Sequence, residues 1–315
     1  MPQTTGDTPN GNLDSKPHRL PLMWRSFSRG LRNNWAFLLL IALFASDFHH
    51  GHPSREEDAW FIAFNALLLV FVLFAVALGV ARHSTIELAL QARFEQALRW
   101  NRRLLWIPGY GRSLEGWILL TAGRYLEAQD ATKRGAFDKH GDPRLGSWQL
   151  YYYAMALSHQ GNGTEAQELL EAALRLNPPI GRFHLGLADC LLEQNRDPDR
   201  ARQLLDRMLA NWEEAENPSR TRAKSSLRRG RYAWALARCG LRDEAVIQIH
   251  EAVAESAKFL NYDQAWLQYY AGETWRALGD TDKARTSFEA AIAVHPHGQV
   301  EQQTRKRLSE LGCAT

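Results

Sequence analysis

The sequence predicts an all-α protein: an N-terminal transmembrane helical hairpin followed by an α-solenoid of about five helix pairs. Three observations predict it. Two apolar runs, Trp35–Ser46 and Trp60–Ala81, stand close together. Basic residues flank the pair of runs, and acidic residues fill the loop between them. Further on, a spacing of small residues, turn glycines, alanines and exit prolines recurs along a polar, amphipathic chain.

Residues 1–30 are rich in Thr, Asn, Pro and Gly. Such a composition buries too little apolar surface to fold, so this part reads as a disordered cytoplasmic tail. The hairpin occupies residues 31–82. Its second run, WFIAFNALLLVFVLFAVALGVA, is uncharged and apolar apart from Asn65. A helix of this length crosses a hydrocarbon core of about 30 Å. The first run, WAFLLLIALFAS, covers only about 18 Å as a helix. It spans if Leu31 to Phe48 is counted, with Arg32 reaching outward and the bilayer thinning slightly. An interfacial segment is the alternative. A signal peptide fits poorly, because no A-x-A follows the run and the preceding region is long.

Charge sets the topology. Arg19, Arg25, Arg29 and Arg32 precede the first run, and Arg82, Arg93, Arg99, Arg102 and Arg103 follow the second. The loop between holds Asp47, Glu56, Glu57 and Asp58 against Arg55. If both runs span, both basic clusters stay inside, as the positive-inside rule prefers. The expectation is a two-pass inner-membrane protein with both termini cytoplasmic. His49, His50 and His52 then sit in the outer loop. Adjacent histidines can bind zinc or copper or sense pH, but a short loop gives them little to fix a coordination geometry, and a solvated turn is the plainer reading. No cofactor or structural metal is expected.

Residues 83–108 read as a juxtamembrane linking helix. Beyond them the repeat begins. Ser147–Pro178 and Ala265–Pro296 align without a gap on their final prolines. Ala154 falls on Gly272, Leu157 on Trp275, Gly161 on Gly279, Ala166 on Ala284, Leu170 on Phe288 and Ala173 on Ala291. A small residue lets two helices approach, glycine ends the first helix in the left-handed region, and proline stops the second. Weaker copies place Gly116, Gly123, Tyr125 and Ala128, then Ala188, Asn195 and Ala201, then Ala233, Gly240, Ala245 and Ala252 in the same roles. The turn markers Gly123, Gly161, Asn195, Gly240 and Gly279 lie 38, 34, 45 and 39 residues apart. The longer spacings call for extended helices or linkers, as around Asn217-Pro218.

This pattern resembles the tetratricopeptide repeat, over roughly residues 109–298. The resemblance implies a right-handed superhelix of helix pairs with a concave groove lined by the first helix of each pair. Residues 299–315 read as a capping helix and tail.

Those first helices are unusually aromatic. Trp148, Tyr151 and Tyr152 recur as Trp266, Tyr269 and Tyr270, with Trp234 between them and Arg182, Arg231 and Arg276 as nearby charges. They are the candidate partner-binding groove, since Trp and Tyr bury much area at low entropy cost. Packing between repeats is the competing reading. The lysine and asparagine with which some tetratricopeptide domains hold a terminal carboxylate are replaced here by tyrosine, leucine or methionine.

With 38 basic against 35 acidic residues the chain is nearly balanced, which disfavours nucleic acid as a partner. Cys190, Cys239 and Cys313 are distant and form no CxxC, so neither a disulfide framework nor a zinc site is expected, and Cys190 and Cys239 read as small buried helix residues. No phosphate loop, HExxH or nucleophile elbow is present, so an enzyme is not expected. The favoured function is a membrane-anchored scaffold that binds protein partners at the cytoplasmic face, as an accessory subunit of a bacterial envelope-associated complex. Its hairpin could also bind other membrane proteins. The alternatives are a sensor or transport accessory driven by the histidine loop, or an exported repeat domain.

Overall fold

The computed structural model describes residues 55–103, 110–137, 143–178, 180–213, 218–256 and 259–313. The tail, the first expected span and His49, His50 and His52 lie outside these residues. Every regular element among those described is a helix: α1 (Arg55–Leu90), α2 (Phe94–Arg102), α3 (Tyr110–Thr121), α4 (Tyr125–Ala136), α5 (Pro143–His159), α6 (Gly163–Leu176), α7 (Gly181–Glu193), α8 (Pro198–Glu213), α9 (Pro218–Arg238), α10 (Arg242–Ala254), α11 (Asn261–Ala277), α12 (Thr281–Val294) and α13 (Gly298–Cys313). The chain divides into two compact units, Met1–Ser84 and Thr85–Thr315.

α1 carries the second apolar run. Where its side chains are described, Leu67, Leu69, Val70 and Phe74 are exposed; Leu67, Val70 and Phe74 lie along one stripe at i, i+3, i+7, with Leu69 to its side. Among the described residues no helix is long and apolar enough to cross a membrane. Much of the run from Trp60 to Ala81 falls on side chains outside that description, at residues 60–65, 71–73, 75 and 76.

In the second unit, five helix pairs stack: α3 with α4, α5 with α6, α7 with α8, α9 with α10, and α11 with α12. Each pair turns at its marker residue in the left-handed region. φ is +76° at Gly123, +93° at Gly161, +79° at Gly240 and +80° at Gly279. Asn195 takes the same role at +52°, as asparagine can. Its side chain is fixed there by Arg238 Nη1, which donates to Asn195 Oδ1 at 2.9 Å. The extra residue of that turn, Asp197, is also left-handed at +43°, and its Oδ1 accepts from the Arg200 amide at 3.0 Å. The longest spacing is taken up by α9, a helix of 21 residues.

The small positions lie where helices cross. Ala154, Ala188 and Ala233 are fully buried, as are Ala166, Ala173, Ala201, Ala245, Ala252 and Ala284 on the second helices. At Gly272 a Cβ would come within 2.4 Å of the Phe288 ring, so the pair of α11 and α12 closes only around glycine. Leu170 and Phe288, equivalent in sequence, are both fully buried. Cys190 is buried on α7, whereas Cys239 stands in the turn after α9 and is half-buried, not a helix residue in the core.

The expected open groove is closed instead. The first helices pack in series, α3 on α5, α5 on α7, α7 on α9, α9 on α11, and α11 on α13. α13 then packs back on α3. Rather than capping an open end with a polar face, α13 buries Gln299, Val300, Gln303, Thr304, Arg307 and Leu311. The inner helices therefore form a ring.

Candidate functional site

Closing the ring turns the concave face into a cavity of about 450 Å³. Trp148, Tyr151, Tyr152, Arg182, Trp234, Trp266, Tyr269 and Tyr270 all line it, with Arg231 among them. Arg276 does not line it. Its guanidinium is held outside the cavity, with Nη2 2.7 Å from Glu273 Oε2 and Nη1 3.9 Å from Glu310 Oε2. Trp117, Tyr262, His159, Asp189, Glu193 and Arg228 line the cavity as well and were not singled out from the sequence as groove residues.

The two aromatic trios have nearly the same geometry. Trp148 stacks on Tyr152 at 5.8 Å and 29°, and Trp266 stacks on Tyr270 at 5.8 Å and 26°. Trp148 meets Tyr151 edge to face at 82°, and Trp266 meets Tyr269 at 81°. α5 and α11 are separated by two inner helices on either side of the ring, so the trios are carried by opposite parts of the cavity wall. Within each trio the tyrosines are buried, with Tyr151 at 7% and Tyr269 at 1% exposure. Trp148 and Trp266 keep accessible surface. The tyrosines thus meet the cavity while packed between helices, and the tryptophans expose more of their surface to it.

Charge is distributed unevenly around this wall. Arg231 Nε donates to both carboxylate oxygens of Asp189 at 2.9 Å, and its guanidinium lies 4.5 Å from the centroid of the Tyr270 ring. Burial pushes the Asp189 carboxyl up while Arg231 draws it back. Arg182 has no ion-pair partner among the described residues and is surrounded by Tyr151, Tyr152 and Tyr262. Burial also pushes the Glu193 carboxyl up, against the pull of Arg307. Ser158 Oγ donates to Glu193 Oε2 at 3.3 Å.

His159, at the end of α5, closes the cavity against α13. Burial lowers its pKa from 6.5 to about 4, so it is neutral near pH 7. Gln299 Nε2 faces His159 Nε2, so we assign the imidazole as the acceptor there, with the proton on Nδ1, 3.9 Å from Glu193 Oε1. Gln303 Nε2 donates to the Tyr125 hydroxyl at 3.1 Å, completing the seam. On its other side α13 is held by charge. Arg307 Nε lies 2.5 Å from Glu273 Oε1, Glu273 is fully buried, and Arg307 Nη1 also reaches Glu310 at 3.0 Å.

No group of three or more His, Cys, Asp or Glu side chains able to hold a metal occurs among the described residues. The cavity wall thus combines aromatic faces with guanidinium, carboxylate and imidazole groups.

Family models of the tetratricopeptide repeat match residues 154–216 and 266–298. These matched segments fall in the main on α5–α8 and α11–α12, and there the chain is similar to tetratricopeptide repeats. Among solved structures the chain is similar to YrrB, described as a tetratricopeptide-repeat protein with an unusual peptide-binding site, at 19% identity, 68% coverage of this chain, 97% of that one, and a TM-score of 0.36. It is similar to a tetratricopeptide-repeat protein from Parabacteroides merdae at 12% identity, with 91% and 99% covered and a TM-score of 0.48. It is also similar to PlcR from Bacillus thuringiensis, solved with the peptide PapR7 and DNA, at 13% identity, with 83% and 85% covered and a TM-score of 0.49. No curated protein matches the chain.

Proposed function

We propose that this protein is a non-enzymatic scaffold anchored in the bacterial inner membrane, which takes a short segment of a protein partner into the aromatic cavity of its ring at the cytoplasmic face. One observation carries the binding half of this reading. Eight side chains chosen from sequence as groove residues, drawn from α5, α7, α9 and α11, converge on one cavity of about 450 Å³. That volume lies within the range of small, specific sites, roughly 300–1,000 Å³. It suits an inserted chain end or a few side chains better than a long strand lying through a groove. The anchoring half rests on α1, which exposes the large apolar side chains Leu67, Leu69, Val70 and Phe74 and carries an uncharged apolar run, Trp60–Ala81. Basic residues on both flanks of the apolar pair favour cytoplasmic termini.

The test is site-specific photocrosslinking in native membranes. A photoreactive residue at Trp148 or Trp266 should capture one and the same protein, and one at exposed Glu168 on α6 should not. Equal capture from all three sites, or none from the cavity, refutes the cavity as the binding site. Extraction of the chain by alkaline carbonate refutes the anchor separately.

A further inference from the structure

α2 is short, strongly two-faced, and begins three residues after α1 ends. One face buries Ala97, Leu98 and Asn101, and Asn101 Nδ2 donates to Gly111 O at 2.8 Å. The opposite face exposes Arg93, Arg99, Trp100, Arg102 and Arg103. Trp100 is 45% exposed, a large apolar surface for a residue with an apolar core close at hand. The Arg103 guanidinium lies 5.0 Å from the centroid of its ring.

We propose that the solvent face of α2 is a docking site for anionic phospholipid headgroups, holding the start of the repeat unit on the membrane surface. The proposal rests on the membrane-anchored reading. Its first support is charge. None of Arg93, Arg99, Arg102 and Arg103 has an acidic partner among the described residues. The one acid on the helix, Glu95, is taken by Arg124 Nη1 at 2.7 Å. Guanidinium forks match phosphate oxygens, and each basic side chain near an anionic leaflet adds attraction. The second support is the tryptophan, a side chain that settles at the headgroup level with its ring in the apolar boundary. The third is position. In sequence α2 begins at Phe94, twelve residues after Arg82 and so close behind the apolar run. A recess of about 400 Å³ is lined by Arg93, Phe94, Gln96, Arg99 and Arg124, with Glu95 paired to Arg124 at its wall, and gives a headgroup somewhere to sit.

The test uses the full chain in lipid nanodiscs, carrying Gln96→Cys labelled with a polarity-sensitive fluorophore on a Cys239→Ser, Cys313→Ser background. Discs of phosphatidylcholine alone are compared with discs containing phosphatidylglycerol. A blue shift confined to the anionic discs is expected, unchanged by free inorganic phosphate. Each arginine replaced by glutamine at 99, 102 and 103 should lower the docked-to-undocked ratio about fivefold. Arg→Lys at the same three positions should retain the lipid dependence, which a purely structural role for the guanidinium would not. Identical emission in both lipids, a shift indifferent to the glutamine replacements, or a patch that takes single-stranded RNA in preference to the anionic discs overturns the proposal. If the chain fails to insert into discs at all, the anchored reading falls instead.

Discussion

α13 has two edges, and they are built from different chemistry. Toward α11 it is held by the buried ion pair of Arg307 with Glu273, flanked by Arg276 on α11 and by the exposed Glu310 on α13 itself. Toward α3, α4 and α5 it is held by neutral groups: Gln299 on His159, Gln303 on Tyr125, and Gly298 against Thr121 O. A buried charge left without its partner is far more costly than a lost neutral hydrogen bond. The ionic edge therefore fixes α13 to its own end of the stack. By that reckoning the neutral edge is the weaker of the two.

Removing one member of the ionic cluster is the harshest way to break the contrast. Arg307→Met leaves Glu273 buried without its closest cation. Arg276 stays 2.7 Å from Glu273, so the cost should be near the low end for a broken buried pair, about 3 kcal/mol, read as a lowered midpoint in urea denaturation. Glu273→Met combined with Arg307→Met should recover most of that loss. If the double variant is no more stable than the single, the loss comes from packing and the ionic account is wrong.

The neutral edge should respond to pH through His159. Its pKa is 6.5 when free and about 4 in the fold, so between these values the unfolded chain binds more protons. Stability contributed by keeping His159 neutral is complete above pH 6.5 and is lost as pH falls toward 4. The full effect is on the order of 3 kcal/mol. Asp189, Glu193, Lys306 and Arg307 face the imidazole and titrate or stay charged around it, so the measurement is a difference. The pH dependence of the urea midpoint for wild type minus that for His159→Gln should show the loss. Parallel curves would remove His159 from the seam's energetics.

The third way acts on backbone. Gly298 has φ +71°, and a Cβ there would lie 2.5 Å from Thr121 O. Gly298→Ala should cost about 2 kcal/mol through the left-handed conformation and the overlap. Hydrogen exchange should quicken in α13 and α3 while α11 keeps its protection. Equal loosening of α11 would mean the two edges are not independent.

Much of this architecture was legible in the sequence because its signals are local. A glycine that must be left-handed, an alanine at a helix crossing and a proline at an exit each declare themselves at fixed spacing. Asn195 could stand for glycine because its short side chain tolerates positive φ. The pairing of the two trios was legible too, since Trp-x-x-Tyr-Tyr recurs at 148–152 and 266–270. Ring closure was not legible. It joins residues about as far apart as the repeats allow, Gln303 with Tyr125 and Gln299 with His159, through side chains that are polar and ordinary on a capping helix. Nothing in a periodic pattern marks a glutamine that will be buried. Arg276 was misplaced for a related reason. Its helical spacing allows it to face the groove, but Glu273 and Glu310 draw it aside. The α2 face was counted only as flanking charge, because its meaning depends on which side of a nine-residue helix is buried.

The mildest perturbation separates the edges most cleanly. Gln299→Ala with Gln303→Ala deletes two neutral side-chain hydrogen bonds, one to an imidazole and one to a phenol. Each contributes about 0.5–1.5 kcal/mol, and the partners left behind, His159 and Tyr125, lie at a seam that water can reach when it opens. The global urea midpoint should move little, because the ionic edge and the five stacked pairs remain intact. Exchange of the α13 amides should rise roughly tenfold, since 1.4 kcal/mol of local opening corresponds to that factor. A photoreactive residue at Trp148 should then capture its partner faster, the entry being easier. If exchange rises but capture does not change, the seam opens without serving as the entrance, and the partner must reach Trp148 and Trp266 along the ring axis.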